Sequence, residues 1–237
     1  MVERSSPQPS DRAPGLMVAA GVELPDDVDL GVHVVIHAGV RIAAGCAIED
    51  GAVVGKPPRL SPRSRARREA PGPTVLEPGA IVSVGAVVLA GARIGAGTVV
   101  AAHAFVRERS SIGPESLVGT GAVVGCDVRT GARMKLQTAS VLVSGSTVED
   151  DVFVGPSTTS MNDASAGRSK PELHGVLLRR ACRVGGGATL LPGIEVGEDA
   201  FVGSGAVVTR NVPAGAVAMG VPARVVGEVP DGDRLPG

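Results

Sequence analysis

The chain has 237 residues, a formal net charge of −1, 34 Gly, three Phe and no Trp or Tyr. A near-neutral balance gives no global attraction for nucleic acid or an anionic membrane surface, and the missing aromatics remove the stacking platforms that single-strand binders use. No run is long and apolar enough to span a bilayer.

Residues 1–20 read as a polar, Pro/Ser-rich disordered lead with no apolar signal segment, so a cytoplasmic location is expected. Cys46, Cys126 and Cys182 stand far apart with no CxxC pair, which suits a reducing compartment. From Leu24 an aliphatic residue recurs every six: Leu24, Leu30, Ile36, Ile42, Ile48 and Val54. Small residues such as Val34, Cys46 and Ala52 stand two places before, at a second inward position. Residues 56–73 break the pattern with Lys56, Arg59, Arg63, Arg65, Arg67 and Arg68 against Glu69 alone. Val54 and Leu76 are not a multiple of six apart, so this is an insertion, and its arginines suit a phosphate-bearing ligand.

The central block runs from Leu76 to Val154, where thirteen of fourteen six-spaced positions are aliphatic and Thr130 is the exception. Gly follows the aliphatic at Gly95, Gly113, Gly119, Gly125, Gly131 and Gly155, which reads as a corner needing unusual backbone angles. A second excursion spans 156–177, and the register resumes through Leu178, Val184, Leu190, Val196, Val202 and Val208. A six-residue period is neither helical nor a simple strand alternation; it is the hexapeptide repeat of a parallel β-helix, whose stacked coils share one core. In all, 25 of 26 register positions are aliphatic, enough for about eight or nine coils. The expected organisation is one hexapeptide β-helix domain over 21–228 with inserted loops 56–73 and 156–177, and a flexible tail over 229–237.

Residues 183–227, RVGGGATLLPGIEVGEDAFVGSGAVVTRNVPAGAVAMGVPARVVG, resemble the C-terminal coils of the hexapeptide acyltransferases. Residues 148–169, VEDDVFVGPSTTSMNDASAGRS, resemble the subgroup that N-acetylates amino sugars carried on nucleotides. The resemblance implies an all-β, left-handed parallel β-helix, an exception to right-handed crossovers. It also implies a homotrimer with acetyl-CoA as co-substrate in the groove between subunits. The subgroup often carries Asn after the Gln corresponding to Gln137, whereas Thr138 and Ala139 stand here.

Acyl transfer from a thioester needs a neutral nucleophile, a proton acceptor and donors for the developing oxyanion. Asn162 and Asp163 on the second loop are candidates to hold and deprotonate the acceptor, and His103 is a candidate base near neutral pH. Gln137, Arg168 and His174 are candidate substrate contacts. Gly186, Gly187, Gly203 and Ser204 open the coil surface to a pantetheine arm, while Arg210 and Arg224 match the family's CoA-phosphate positions. Arg179, Arg180 and Arg183 form a second basic cluster suited to a pyrophosphate. His33 and His37 fall at different phases of the repeat, so no metal is expected. The expected function is acyl-CoA-dependent N-acetylation of a nucleotide-linked amino sugar, with no nucleic-acid or membrane partner. The alternatives are O-acetylation of a hydroxyl acceptor and a non-catalytic β-helix scaffold.

Overall fold

The computed structural model describes residues 6–169 and 172–235. Each hexapeptide contributes one short strand and one corner, and three of them close a coil. Val87 pairs with Phe105, Phe105 with Val123 and Val123 with Val141, all parallel and each 18 residues on. The chain visits three faces in turn, so the expected all-β, left-handed parallel β-helix is what forms. Face B runs from Asp29–Leu30 to Ala216–Met219, face A from Met17–Val18 to Val207–Val208, and face C from Val40–Ile42 to Glu195–Val196.

The register aliphatics fill the interior: Leu76, Val82, Val88, Ile94, Val100 and Val106 are fully shielded, as are most of the small residues two before them. Cys46 and Cys182 take that second position and are buried, as their spacing implied. Where a polar residue stands inside, it bridges coils. Thr98 Oγ1 donates to Gly113 O at 2.7 Å, and Ser110 Oγ to Gly125 O at 2.6 Å. Thr130 keeps its place in the register because its Oγ1 accepts the Gly113 amide at 3.0 Å.

The corner glycines do not act as expected. Positive φ falls on the residue three before most of the aliphatics, and there Gly121 (64°) shares the role with His103 (58°) and Ala139 (56°). The glycine just after the aliphatic is needed for proximity: a Cβ on Gly119 would stand 2.7 Å from the Gln137 carbonyl carbon of the next coil.

Three boundaries differ from the sequence reading. The coil begins earlier than Leu24: Leu16 is fully buried, and Gln8–Pro9 pairs antiparallel with Met17–Val18, so residues 8–20 are ordered. Residues 156–160 belong to the coil, and the second excursion starts at Met161. Its marker was hidden because Ser160 occupies the aliphatic position, accepting the Val143 amide at 3.0 Å and donating to Val141 O at 3.1 Å. Among the described residues, faces A and B each carry ten parallel strands, more than the eight or nine coils expected, plus one antiparallel strand that closes an end. At the C-terminal side Val229 is buried and a short 3-10 turn covers Asp231–Asp233. Among the described residues, no helix is long and apolar enough to cross a membrane.

Candidate functional site

Both excursions leave the prism at the corner between faces A and C. Residues 57–73 run between Val53–Lys56 and Thr74–Leu76, and residues 161–176 between Thr159–Ser160 and Leu177–Leu178. Their exits lie five coils apart on face A, about 24 Å at ~4.8 Å per strand. Even so, Arg65 Nη1 of the first stands 4.0 Å from Asp163 Oδ2 of the second. The first excursion is therefore a strap laid along the corner, with Pro71 packed over Gly91 on its return.

The coils along this corner carry a polar cluster. Glu108 is fully buried; Arg107 donates to it through Nη2 at 2.8 Å and Nε at 3.2 Å, and Arg109 Nη2 lies 3.9 Å away. Arg109 also grips Asp127 through Nε and Nη2, at 2.9 and 3.0 Å. That hydrogen bonding holds the Asp127 carboxyl below its ordinary range, with Arg67 of the strap adding to the field. Burial pushes the Cys126 thiol up; its Sγ lies 3.2 Å from Ser144 Oγ. Arg109 Nη1 is buried with no hydrogen-bond partner among the described residues.

Asn162 ties the second excursion down at both ends. Its Nδ2 donates to Ser144 O at 3.1 Å, and its own carbonyl accepts the His174 amide at 3.1 Å. Asp163 is engaged inside the loop: Oδ1 accepts Ser165 N and Oγ, both at 2.7 Å, and Oδ2 accepts Gly167 N at 3.1 Å. The Ser165 hydroxyl first, then those amides, hold its carboxyl below the usual range. Such a carboxylate stays ionised and is a weak proton acceptor. Arg168 and His174 are exposed on the same loop, and Arg210 is exposed two coils further along the same corner.

The other expected residues sit across face A, at the corner between faces B and A. His103 is exposed there, with its imidazole against Gly85; Gln137 is half-buried; Gly187 and Ser204 are open. Gly186 lies close to Pro156, and Gly203 is covered by Met219, so neither offers the bare backbone expected. Arg224 is exposed on the closing strand Arg224–Glu228. His103 and Asn162 are thus separated by the width of face A and by three coils, about 14 Å along the axis. Within one chain they do not share a site.

The cluster of Arg179, Arg180 and Arg183 is not the pyrophosphate site expected of it. Arg179 meets Glu195 at 2.7 Å and Glu149 at 2.9 Å, and Arg180 meets Glu198 at 2.8 Å. Arg183 lies over the Phe201 ring, 5.4 Å from its centroid. Arg179 and Arg180 stand at the corner between C and B, away from both excursions. The sequence reading also missed Glu108, Arg109 and Asp127. Their signal was an opposite charge one coil away, 18 residues on, as in Arg109 with Asp127, Arg133 with Asp151 and Arg180 with Glu198.

A hexapeptide β-helix with two inserted loops on one corner is the class that fold and site define. No protein-family model matches the sequence. Serine acetyltransferase from Escherichia coli K12 is 38% identical over 108 residues, 45% of this chain and 38% of that protein. The enzyme of the same name from Mycobacterium tuberculosis is 36% identical over 100 residues, covering 41% of this chain and 42% of its own length. The chain thus spans about two fifths of the curated relatives it matches. Among solved structures, perosamine N-acetyltransferase from Caulobacter crescentus with CoA and GDP-perosamine is 29% identical, at a TM-score of 0.38 over 65% of this chain and 57% of that one. A Vibrio cholerae hexapeptide-repeat acetyltransferase complexed with acetyl-CoA is 21% identical, at a TM-score of 0.46 over 51% and 71%. Over these stretches the chain is similar to hexapeptide-repeat acetyltransferases.

Proposed function

We propose that this chain transfers an acetyl group from acetyl-CoA to the amino group of a nucleotide-linked sugar. One observation carries the acceptor side: the basic strap and the second excursion meet at the A–C corner, with Arg65 beside Asp163. An arginine-rich wall against a polar loop suits a sugar whose carrier bears phosphates.

In this reading the amine nitrogen attacks the thioester carbonyl carbon, the C–S bond breaks, the amine gives up a proton and CoA leaves as the thiol. Asn162 holds the acceptor through Oδ1, which has no partner among the described residues, while Nδ2 stays fixed on Ser144. Arg168 and His174 line the sugar from the same loop. Asp163 shapes the loop and stays charged. Arg210 and Arg224 serve the CoA phosphates, and Gly187 and Ser204 flank the pantetheine arm. Proton removal falls to His103 of a neighbouring copy, because one chain keeps its two half-sites on opposite margins of face A.

That arrangement requires a homotrimer. The reading is supported by a column of half-buried apolar side chains on the outside of face A: Val35, Val53, Val87, Phe105, Val123 and Val141. A second reading, O-acetylation of a hydroxyl, is favoured by the likeness to serine acetyltransferases over 108 residues.

One assay tests both. The protein is incubated with acetyl-CoA and UDP- or GDP-linked amino sugars, free amino sugars or serine, and CoA thiol release is followed. The expected product is an amide that survives alkaline hydroxylamine, whereas an ester product is cleaved by it. Turnover on serine alone would replace the first reading with the second; no turnover on any acceptor would remove the enzyme reading.

A further inference from the structure

We propose that the strap over residues 57–73 and the corner beneath it form a binding site for a diphosphate ester. The charge balance points there first. Residues 56–69 carry six cations and one carboxylate in a chain whose net charge is −1. On other coils several arginines are matched by a carboxylate one coil away, as Arg133 is by Asp151 and Arg180 by Glu198. Two carboxylates beside the strap, Asp163 and Asp127, are already engaged. Asp163 accepts three hydrogen bonds from its own loop, and Asp127 is held on both oxygens by Arg109. Arg59 and Arg63 have no ion-pair partner among the described residues.

Geometry adds a second reason. The strap spans about 24 Å of corner, and the coils along it contribute Arg107 and Arg109. Arg109 Nη1 is buried with no acceptor among the described residues, although a buried donor without a partner is unfavourable. Planar guanidinium forks match phosphate oxygens on two points at once, and a row of them matches two linked phosphates better than a single carboxylate. Nucleic acid is disfavoured by the near-neutral chain and by the absence of Trp and Tyr. Either the nucleotide carrier of the acceptor or the diphosphate of CoA would present this chemistry. Only that question of source rests on the acetyltransferase reading.

The strap can be removed cleanly. Val53 pairs with Val87, 34 residues on rather than 18, a surplus of 16. Deleting residues 57–72 brings Val54 and Leu76 six apart and restores the repeat. A second variant, Arg63→Ala with Arg67→Ala, alters two exposed side chains and leaves every coil intact.

Inorganic pyrophosphate is titrated calorimetrically into the full chain and both variants. We expect the affinity to fall at least tenfold in each. UDP, GDP and CoA are then titrated in turn. Loss for the nucleoside diphosphates with CoA unchanged assigns the site to the acceptor, and the opposite pattern assigns it to the donor. Equal pyrophosphate affinity in all three proteins, or no binding to the full chain, would overturn the proposal. Strap-dependent pyrophosphate binding in a protein that acetylates nothing would keep this site and remove the acetyltransferase reading.

Discussion

Gly119 and Gly121 lie two residues apart at one corner, and replacing each by Ala should have unequal effects for separate physical reasons. At Gly121 an added Cβ meets nothing within 4 Å, so only the positive φ of 64° resists it. The left-handed backbone costs a non-glycine residue about 1–2 kcal/mol, and Ala139 already tolerates the equivalent corner one coil on, at 56°. A loss of about 1 kcal/mol is expected. At Gly119 the Cβ would stand 2.7 Å from both the Gln137 carbonyl carbon and the Thr138 amide nitrogen. Ordinary contact starts near 3.4 Å, so two coils must part by roughly 0.7 Å. The Gly119 amide donates to Leu136 O at 2.7 Å across that same gap, and the shift would stretch the bond towards its limit. Overpacking at about 1–3 kcal/mol plus a weakened hydrogen bond at about 1 gives roughly 3 kcal/mol. Urea unfolding followed by circular dichroism, at one fixed protein concentration, measures both. If Gly121→Ala is as destabilising as Gly119→Ala, the close-approach account of these glycines is wrong.

Two further outcomes concern the A–C corner. Asp127 has a lowered pKa because Arg109 binds its charged form, so its stabilisation is present above the unfolded value of about 3.9 and is lost as pH falls through the folded one. Asp127→Asn should lower stability by about 1–2 kcal/mol at neutral pH, with the gap to the parent closing in strong acid; a gap that persists there would contradict the ion-pair assignment. Asn162→Ala removes one hydrogen bond, to Ser144 O, and should cost about 1 kcal/mol of stability. If Asn162 also holds the acceptor, kcat/KM for that substrate should drop about 10²-fold while KM for acetyl-CoA stays put, and full activity would move the chemistry elsewhere.

The coil was legible because its cause is repeated: one aliphatic every six residues marks an interior position, and Leu76 through Val154 left little room for another period. Ser160 shows where that reading stops. A hydroxyl satisfied by two backbone groups of the neighbouring coil is as acceptable inside as Val, yet it looks like a break in the pattern. Leu16 was missed for a related reason: the polar residues around it hid a single buried anchor. The site was less legible because three faces scatter neighbours in sequence. His103 and Asn162 were grouped by chemistry, but the prism puts them on different corners. Arg179 and Arg180 looked available until the coil brought Glu149, Glu195 and Glu198 beside them. What joins the two excursions, Arg65 with Asp163, lies 98 residues apart and follows no repeat.

The antiparallel strands at the two ends settle how such a rod meets its own kind. A stack of parallel coils can in principle grow without limit, since each end offers unpaired amides and carbonyls to the next molecule. Here Gln8–Pro9 runs backwards across the first strand of face A, and Pro9 has no amide to donate. Arg224–Glu228 runs backwards across the last strand of face B and presents exposed charge at both of its ends. Reversing the direction of the outermost strand spoils the parallel template that an incoming copy would need. Fibre growth along the axis is thereby discouraged on those two faces.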